Sequence, residues 1–207
     1  DVADLNYEAP GMREAMIAEM DWWIANAGID GFRCDVAGFV PIDFWNTAIT
    51  TLRANNGPLF MLAEWEDPAL IEAGFNAVYG WEFHHIMNEV ATGHESVNAI
   101  AEYAAKCDTM WPTETMKMYF NTNHDENSWN GTVEERMGDL GNAMYVLAFM
   151  MKRSFPLFYS GQEVGLNHRY PFFSKDTVGL DWSKSHAQSD FFAQMLALKH
   201  KHQALFN

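Results

Sequence analysis

Strand-like apolar segments and helix-like amphipathic segments alternate along nearly the whole chain, and this alternation most constrains the fold. The strand-like segments read DGFRCDVA, PLFMLAEW, NAVYGW, MKMYFNTNHD and SFPLFYSG. Repeated strand-then-helix units predict an α/β protein, with a parallel sheet covered by helices. An open doubly wound sheet and a (β/α)8 barrel both fit this order. No G-x-G-x-x-G loop follows any of these strands, which counts against a dinucleotide-binding open sheet.

The helical segments between the strands have recognisable beginnings and ends. The first has Pro10 in its first turn and Gly28 at its end. Its predicted apolar face carries Met12, Met16, Met20, Trp23 and Ala27. Further helical signals cover residues 41–57, 69–74, about 82–107, 134–153 and 190–205. A complete barrel has eight strands, so the pattern predicts part of a (β/α)8 barrel.

The charge balance narrows the class of ligand. The 207 residues carry a formal net charge of −15, which argues against nucleic acid and against an anionic membrane surface. The longest apolar run, residues 143–151, is shorter than the ~20 residues that span a bilayer. Two cysteines do not make a disulfide framework. The chain shows no signal peptide and no initiating methionine, so the compartment stays open, with a secreted or periplasmic location favoured over a cytoplasmic one.

Arg33 and Asp35 stand inside the first strand-like segment. Side chains alternate across a strand, so these two share one face. Barrel active sites lie at the C-terminal ends of the strands, which would put the pair at the mouth of a barrel. A neighbouring arginine favours an ionised aspartate, as a nucleophile requires. A strand-end salt bridge without a catalytic role also accounts for this segment taken alone.

Glu64 ends the second strand-like segment between Ala63 and Trp65. A carboxyl in apolar surroundings has a raised pKa, which suits a general acid. It follows Asp35 by 64 − 35 = 29 residues, about one strand–helix–strand unit. We therefore expect both carboxyls at the same rim, on neighbouring strands. The alternative is that Glu64 or Glu66 caps the helix that opens near Asp67.

Asn123, His124 and Asp125 follow the fourth strand-like segment. Asn and Asp are also ordinary turn residues, so this triplet alone favours a loop. Three strands that all end in carboxylates, with Arg and His beside them, are harder to explain as loops. Two carboxylates that flank a bond are the apparatus of glycoside hydrolysis.

The segments GFRCD, AEW, NHD and FPLFYSGQEVG resemble, in order and spacing, the motifs of the α-amylase family of glycoside hydrolases. DLNYEAP resembles the segment that commonly precedes the fourth barrel strand in that family. The resemblance covers nearly the whole chain. It implies that residues 1–207 form the C-terminal portion of the catalytic barrel, from the fourth to the eighth strand. The first three strands and their sugar-binding Asp and His are not in this sequence.

The resemblance also implies roles for individual residues. Asp35 is the expected nucleophile with Arg33 as its partner, and Glu64 is the expected general acid and base. Asp125 is the third expected catalytic carboxylate and, together with His124, is expected to bind the sugar at the cleavage point. The implied activity is that of a retaining hydrolase or transglycosylase of α-linked glucans such as starch or maltodextrin. The rival is a non-catalytic sugar-binding or transporter-associated member of the same fold.

The sequence departs from the family's pattern beside the nucleophile. Gly38 and Phe39 stand where a lysine and a histidine are common, and Ser154 stands where glycine is common. The visible residues require no cofactor and predict no metal site in this chain, although a structural calcium elsewhere in the whole protein is compatible with the resemblance.

Other candidate functional residues also have a purely structural explanation. His84 and His85, with Glu89, resemble metal ligands, but adjacent helical histidines point apart. Tryptophans 65, 81 and 129 either stack on sugar rings or pack at the rim, and we take Trp65 as the substrate-binding candidate. The first and last strands would each lack a neighbouring strand on one side in this chain. We therefore expect the isolated chain to be inactive and to form homo-oligomers through these open strand edges.

Overall fold

The computed structural model describes residues 4–183 and 186–205, which form two compact units. The first unit extends to Tyr79 and includes Met110–Met116. Its helices and strands are α1 (Pro10–Ala27), β1 (Gly31–Cys34), α2 (Ile42–Asn56), β2 (Phe60–Ala63), α3 (Pro68–Glu72) and β3 (Ala77–Tyr79). β1 pairs with β2, and β2 with β3, all in parallel. The chain therefore alternates strand and helix here as its sequence predicts.

The core of the first unit lies between its strands and its helices. Buried apolar side chains include Phe44, Trp45, Ile49, Met61 and Val78. α1 contributes Met16, Ile17 and Met20 from its partly buried face. Trp23, predicted on that face, is instead 52% exposed and packs edge-on against Trp22. The apolar stripe of α1 is thus narrower than its sequence spacing indicates.

The second unit comprises residues 80–109 and those from Lys117 onward. Its helices and strands are α4 (Trp81–Ala91), α5 (Asn98–Met110), β4 (Met116–Tyr119), α6 (Val133–Met137), α7 (Gly141–Met150), β5 (Ser154–Pro156) and α8 (Ala187–Lys201). β4 and β5 pair in parallel, with Lys117 opposite Ser154 and Tyr119 opposite Pro156. No helix in the described part of the chain is long and apolar enough to cross a bilayer.

The helix predicted over residues 134–153 is interrupted. Thr132 and Glu135 form a capping box that starts α6, and the chain turns at Gly138, whose φ is +51°. Glycine reaches this left-handed region without steric cost, so α6 stops there and α7 begins afresh at Gly141. The signals over 82–107 likewise divide into α4 and α5.

The outer strands support a prediction about the isolated chain. Among the described residues, β1 has one neighbouring strand, β2, and β5 has one neighbouring strand, β4. Strand edges with unpaired N–H and C=O groups pair readily with other chains. We expect the purified 207-residue chain to sediment as dimers or larger species at micromolar concentration. A compact monomer over that range would contradict the expectation.

Candidate active site

Arg33, on β1, contacts residues from the ends of all three strands of the first unit. Its Nη1 donates to Asp35 Oδ1 at 2.5 Å, its Nη2 contacts Glu64 Oε1, and its Nε donates to the Tyr79 hydroxyl at 3.1 Å. Burial alone would lower the pKa of Arg33, but the hydrogen bonds to Tyr79 and Asp35 raise it above its ordinary value. A permanently charged guanidinium thus holds both carboxylates at the carboxyl ends of β1 and β2.

The two carboxylates lie in different environments. The Asp35 side chain is 72% exposed, whereas the Glu64 side chain is 11% exposed. Burial raises the pKa of Glu64; the Val36 N–H and the charge of Arg33 lower it, and the neighbouring Asp35 raises it again. The net shift is upward, so Glu64 keeps its proton to higher pH than an isolated glutamate. Two carboxyls in such different environments can have different roles, one as a general acid and the other as a nucleophile.

Val36 holds Glu64 in place through its backbone. Its N–H donates to Glu64 Oε2 at 3.0 Å. The residue has φ 43° and ψ 43°, in the left-handed region, where a β-branched side chain is a conformational outlier. Such a conformation costs about 1–3 kcal/mol and persists where surrounding contacts enforce it. The turn after β1 therefore aims a backbone donor at the candidate acid, a feature that sequence reasoning missed.

His124 and Asp125 belong to the second unit and begin the helical segment that follows β4. Asn123 before them is buried, and its Oδ1 accepts from the N–H of Glu126 at 2.8 Å. The side chains of His124 and Asp125 are 50% and 32% exposed, with Nε2 and Oδ2 3.6 Å apart. They are therefore neighbours that face solvent together. That they join the carboxylates of the first unit in one site stays a prediction.

A buried polar cluster anchors this segment. His84 is 1% exposed, with Nδ1 3.1 Å from the carbonyl of Phe120 and Nε2 2.9 Å from Glu126 Oε2. Burial would raise the pKa of Glu126, but His84 and then Arg136 outweigh it, and the pKa is lowered. Arg136 also donates to the carbonyl of Asn121 at 2.6 Å. The sequence analysis did not identify Glu126 and Arg136 as parts of this cluster. The one sequence feature that pointed to it was His84, a histidine on an apolar helix face.

The comparisons with known proteins decide the family. The sequence model of the α-amylase catalytic domain matches residues 1–203. This chain belongs to the α-amylase family. The family resemblance found in the sequence motifs is thereby confirmed.

Similar proteins include bacterial enzymes. A cyclomaltodextrinase from Bacillus sp is 24% identical over 97% of this chain and 37% of its own length. An intracellular maltogenic amylase from Bacillus subtilis strain 168 is 25% identical over 99% of this chain and 36% of its own length. The crystal structure of a noncanonic maltogenic α-amylase from Thermotoga neapolitana is 28% identical, has a TM-score of 0.84 and covers 100% of this chain and 48% of its own. This α-amylase-family chain spans less than half the length of each.

The predicted fold class, a (β/α)8 barrel present in part, is confirmed by the family match and by this structural similarity. The assignment of residues 1–207 to the C-terminal portion of the barrel stays a prediction, as do the roles of the individual site residues.

At residues 38 and 39, where the chain departs from the α-amylase pattern, the indole of Trp65 packs against the backbone. A Cβ at Gly38 would lie 2.3 Å from the indole ring of Trp65. Phe39 contacts the same indole, with ring centroids 5.0 Å apart, and is itself 78% exposed. Trp65 is partly buried against the core of the first unit. Its indole takes the space that a larger residue 38 would need, and its role in sugar binding stays a prediction.

This contact gives a prediction with a matched control. Gly38→Ala is expected to lower the free energy of unfolding by about 1–3 kcal/mol, because Trp65 must move. Gly11→Ala, in α1, meets no atom within 4 Å and is expected to raise the same quantity by up to about 1 kcal/mol. Urea denaturation of both variants measures the difference. Equal free energies of unfolding for the two variants would show that the Trp65 indole moves aside without loss of stability.

The metal hypothesis at His84 and His85 is not supported by the described residues. His84 is buried on Glu126, whereas His85 is exposed on the next helical position. In residues 4–183 and 186–205, no three His, Cys, Asp or Glu side chains are grouped so that they could hold a metal ion. We therefore assign no metal ion to His84, His85 or Glu89.

Proposed function

We propose that the protein containing this chain is a retaining hydrolase or transglycosylase of α-linked glucans, with maltodextrins as substrates. The observation that carries the proposal is the pair of carboxylates, Asp35 and Glu64, on the single guanidinium of Arg33. The names of the relatives, a cyclomaltodextrinase and two maltogenic amylases, support the substrate class. The proposal concerns a protein whose barrel is complete, and we expect the 207-residue chain alone to be inactive.

The first step forms a covalent intermediate. The Asp35 carboxylate attacks the anomeric carbon while the bond from that carbon to the leaving oxygen breaks, and Glu64 gives its proton to that oxygen. Arg33 stays charged throughout and offsets the negative charge shared by the two carboxyls. The raised pKa of Glu64 keeps the required proton in place before the reaction.

The second step releases the sugar. Glu64, now ionised, takes a proton from water or from a sugar hydroxyl, whose oxygen attacks the anomeric carbon and breaks its bond to Asp35. The exposed side chain of Asp35 leaves one face open to the sugar that it holds, and the acceptor enters from the opposite face of that sugar, beside Glu64. Water as acceptor gives hydrolysis, and a sugar hydroxyl gives transfer. Asp125 and His124 are proposed to bind hydroxyls of the sugar under attack.

The stereochemistry of the first product tests this function. The complete protein is mixed with maltohexaose, and proton NMR follows the anomeric signals before mutarotation. We expect the α-anomer first, because two displacements retain configuration. Initial release of the β-anomer would overturn the double displacement. Binding of maltohexaose without any turnover would instead support the non-catalytic rival.

A further inference from the structure

Three aromatic side chains of the second unit form an exposed surface beside His124. Trp129, Phe172 and Phe173 are 58%, 39% and 87% exposed. The ring centroids are 5.1 Å apart for Trp129 and Phe172, 4.8 Å for Phe172 and Phe173, and 6.1 Å for Trp129 and Phe173. We call these three residues the aromatic surface. Contiguous apolar surface left in water is costly and marks a binding site more often than scattered exposed residues do.

The aromatic surface is continuous with the candidate sugar contacts. The His124 imidazole stacks on the ring of Phe172, with centroids 6.1 Å apart and an interplanar angle of 22°. Asp125, the next residue, is partly exposed. A ligand held by these two side chains therefore has the aromatic rings directly beside it.

Hydrogen bonds fix the two segments that carry the rings. Asn127, which is 6% exposed, donates from Nδ2 to the carbonyl of His168 at 2.9 Å and accepts at Oδ1 from the N–H of Tyr170 at 2.8 Å. Trp129 lies in a short π-helix, Glu126–Asn130, in which Asn130 Nδ2 donates to Glu126 Oε1 at 3.0 Å. The rings are therefore held in position before a ligand arrives, which lowers the entropy cost of binding.

The chemistry of the surface fits a glucan. A pyranose ring presents an apolar C–H face and a rim of hydroxyls, and an aromatic ring covers the first while nearby carboxylates and amides bind the second. The chain is strongly acidic, which suits a neutral ligand better than an anion.

We propose that Trp129, Phe172 and Phe173 bind glucose units of an α-glucan next to the unit held by His124 and Asp125. This inference deepens the proposed function and rests on it for the identity of the ligand. The aromatic surface then favours oligosaccharides that extend beyond the unit held by His124 and Asp125, because only these place further glucose units on the rings.

Binding can be measured apart from catalysis. Isothermal titration of the complete protein in a Glu64→Gln background, which slows turnover, gives Kd for maltose and for maltohexaose. Trp129→Ala and Phe173→Ala are each expected to weaken maltohexaose binding about three- to tenfold, with a smaller change for maltose. Trp182→Ala, at a tryptophan that is 57% exposed, is the matched control and is expected to leave both values unchanged.

The outcomes separate this inference from the proposed function. If both aromatic variants bind maltohexaose as the Trp182→Ala control does, while the parent protein turns it over, the inference fails and the function stands. If the parent binds but does not react, the weakened binding of the variants still supports the aromatic surface. If the variants lose self-association in sedimentation and keep glucan affinity, the surface is an interface between copies of this chain, and the inference is overturned. Phe173→Ala guards against misfolding, because its ring is 87% exposed.

Discussion

Replacing Asp35 by asparagine is expected to lower kcat on maltohexaose by at least about four orders of magnitude in the complete protein. The amide cannot form the glycosyl ester through which the proposed double displacement passes. It still offers an oxygen to Arg33, so the position of the guanidinium should persist. Initial-rate assays measure the loss, and thermal unfolding monitors the fold.

Asp43→Asn is the matched control for this substitution. Asp43 belongs to the same unit, is 67% exposed and also pairs with an arginine, Arg13, at 2.8 Å. We expect the control to keep its activity within about twofold, because an exposed ion pair contributes little. An Asp35→Asn protein with a tenth or more of the parent activity would contradict a nucleophilic role for Asp35.

Replacing Glu64 by glutamine is expected to lower the rates on two substrates by different factors. With maltohexaose the loss should be about 10²–10⁴-fold, the usual contribution of a general acid. With α-maltosyl fluoride, whose leaving group needs little protonation, the first step should slow by less than about tenfold. Pre-steady-state release of fluoride measures that step. Equal losses of rate on the two substrates would contradict the role of Glu64 as general acid.

The same residue should also make stability depend on pH. Its pKa in the folded chain is raised above the value of about 4.3 in the unfolded chain. Ionising Glu64 therefore costs folding free energy as pH rises from about 4 through the folded pKa. The Glu64→Gln chain lacks this cost, so its free energy of unfolding should rise relative to that of the parent across this window. A difference that stays constant with pH would contradict the raised pKa.

Features that depend on the local residue pattern could be predicted from the sequence. Residue alternation predicted that Arg33 and Asp35 share one face, and they form an ion pair although β1 ends at Cys34. The 29-residue spacing placed Glu64 directly after the adjacent strand β2. The helix predicted over 134–153 was wrong in its continuity, because a single Gly138 in the left-handed region outweighed the apolar spacing on both sides.

Contacts between distant residues were beyond local pattern. The backbone bond from Val36 to Glu64 depends on a strained turn that no residue preference indicates, since valine avoids that conformation. The contact of Trp129 with Phe172 joins residues 43 positions apart (172 − 129), and part-buried hydrogen bonds of Asn127 to His168 and Tyr170 connect their two segments. Such features follow from the packed fold rather than from spacing along the chain.

Trapping the covalent intermediate tests the central claim most directly. The complete protein carrying Glu64→Gln is mixed with α-maltosyl fluoride, which glycosylates the nucleophile readily, while loss of the base slows release. Proteolysis and mass spectrometry then locate the sugar. We expect a maltosyl ester on Asp35. A sugar attached to another carboxylate, or rapid turnover with no attached sugar and inverted product, would contradict it.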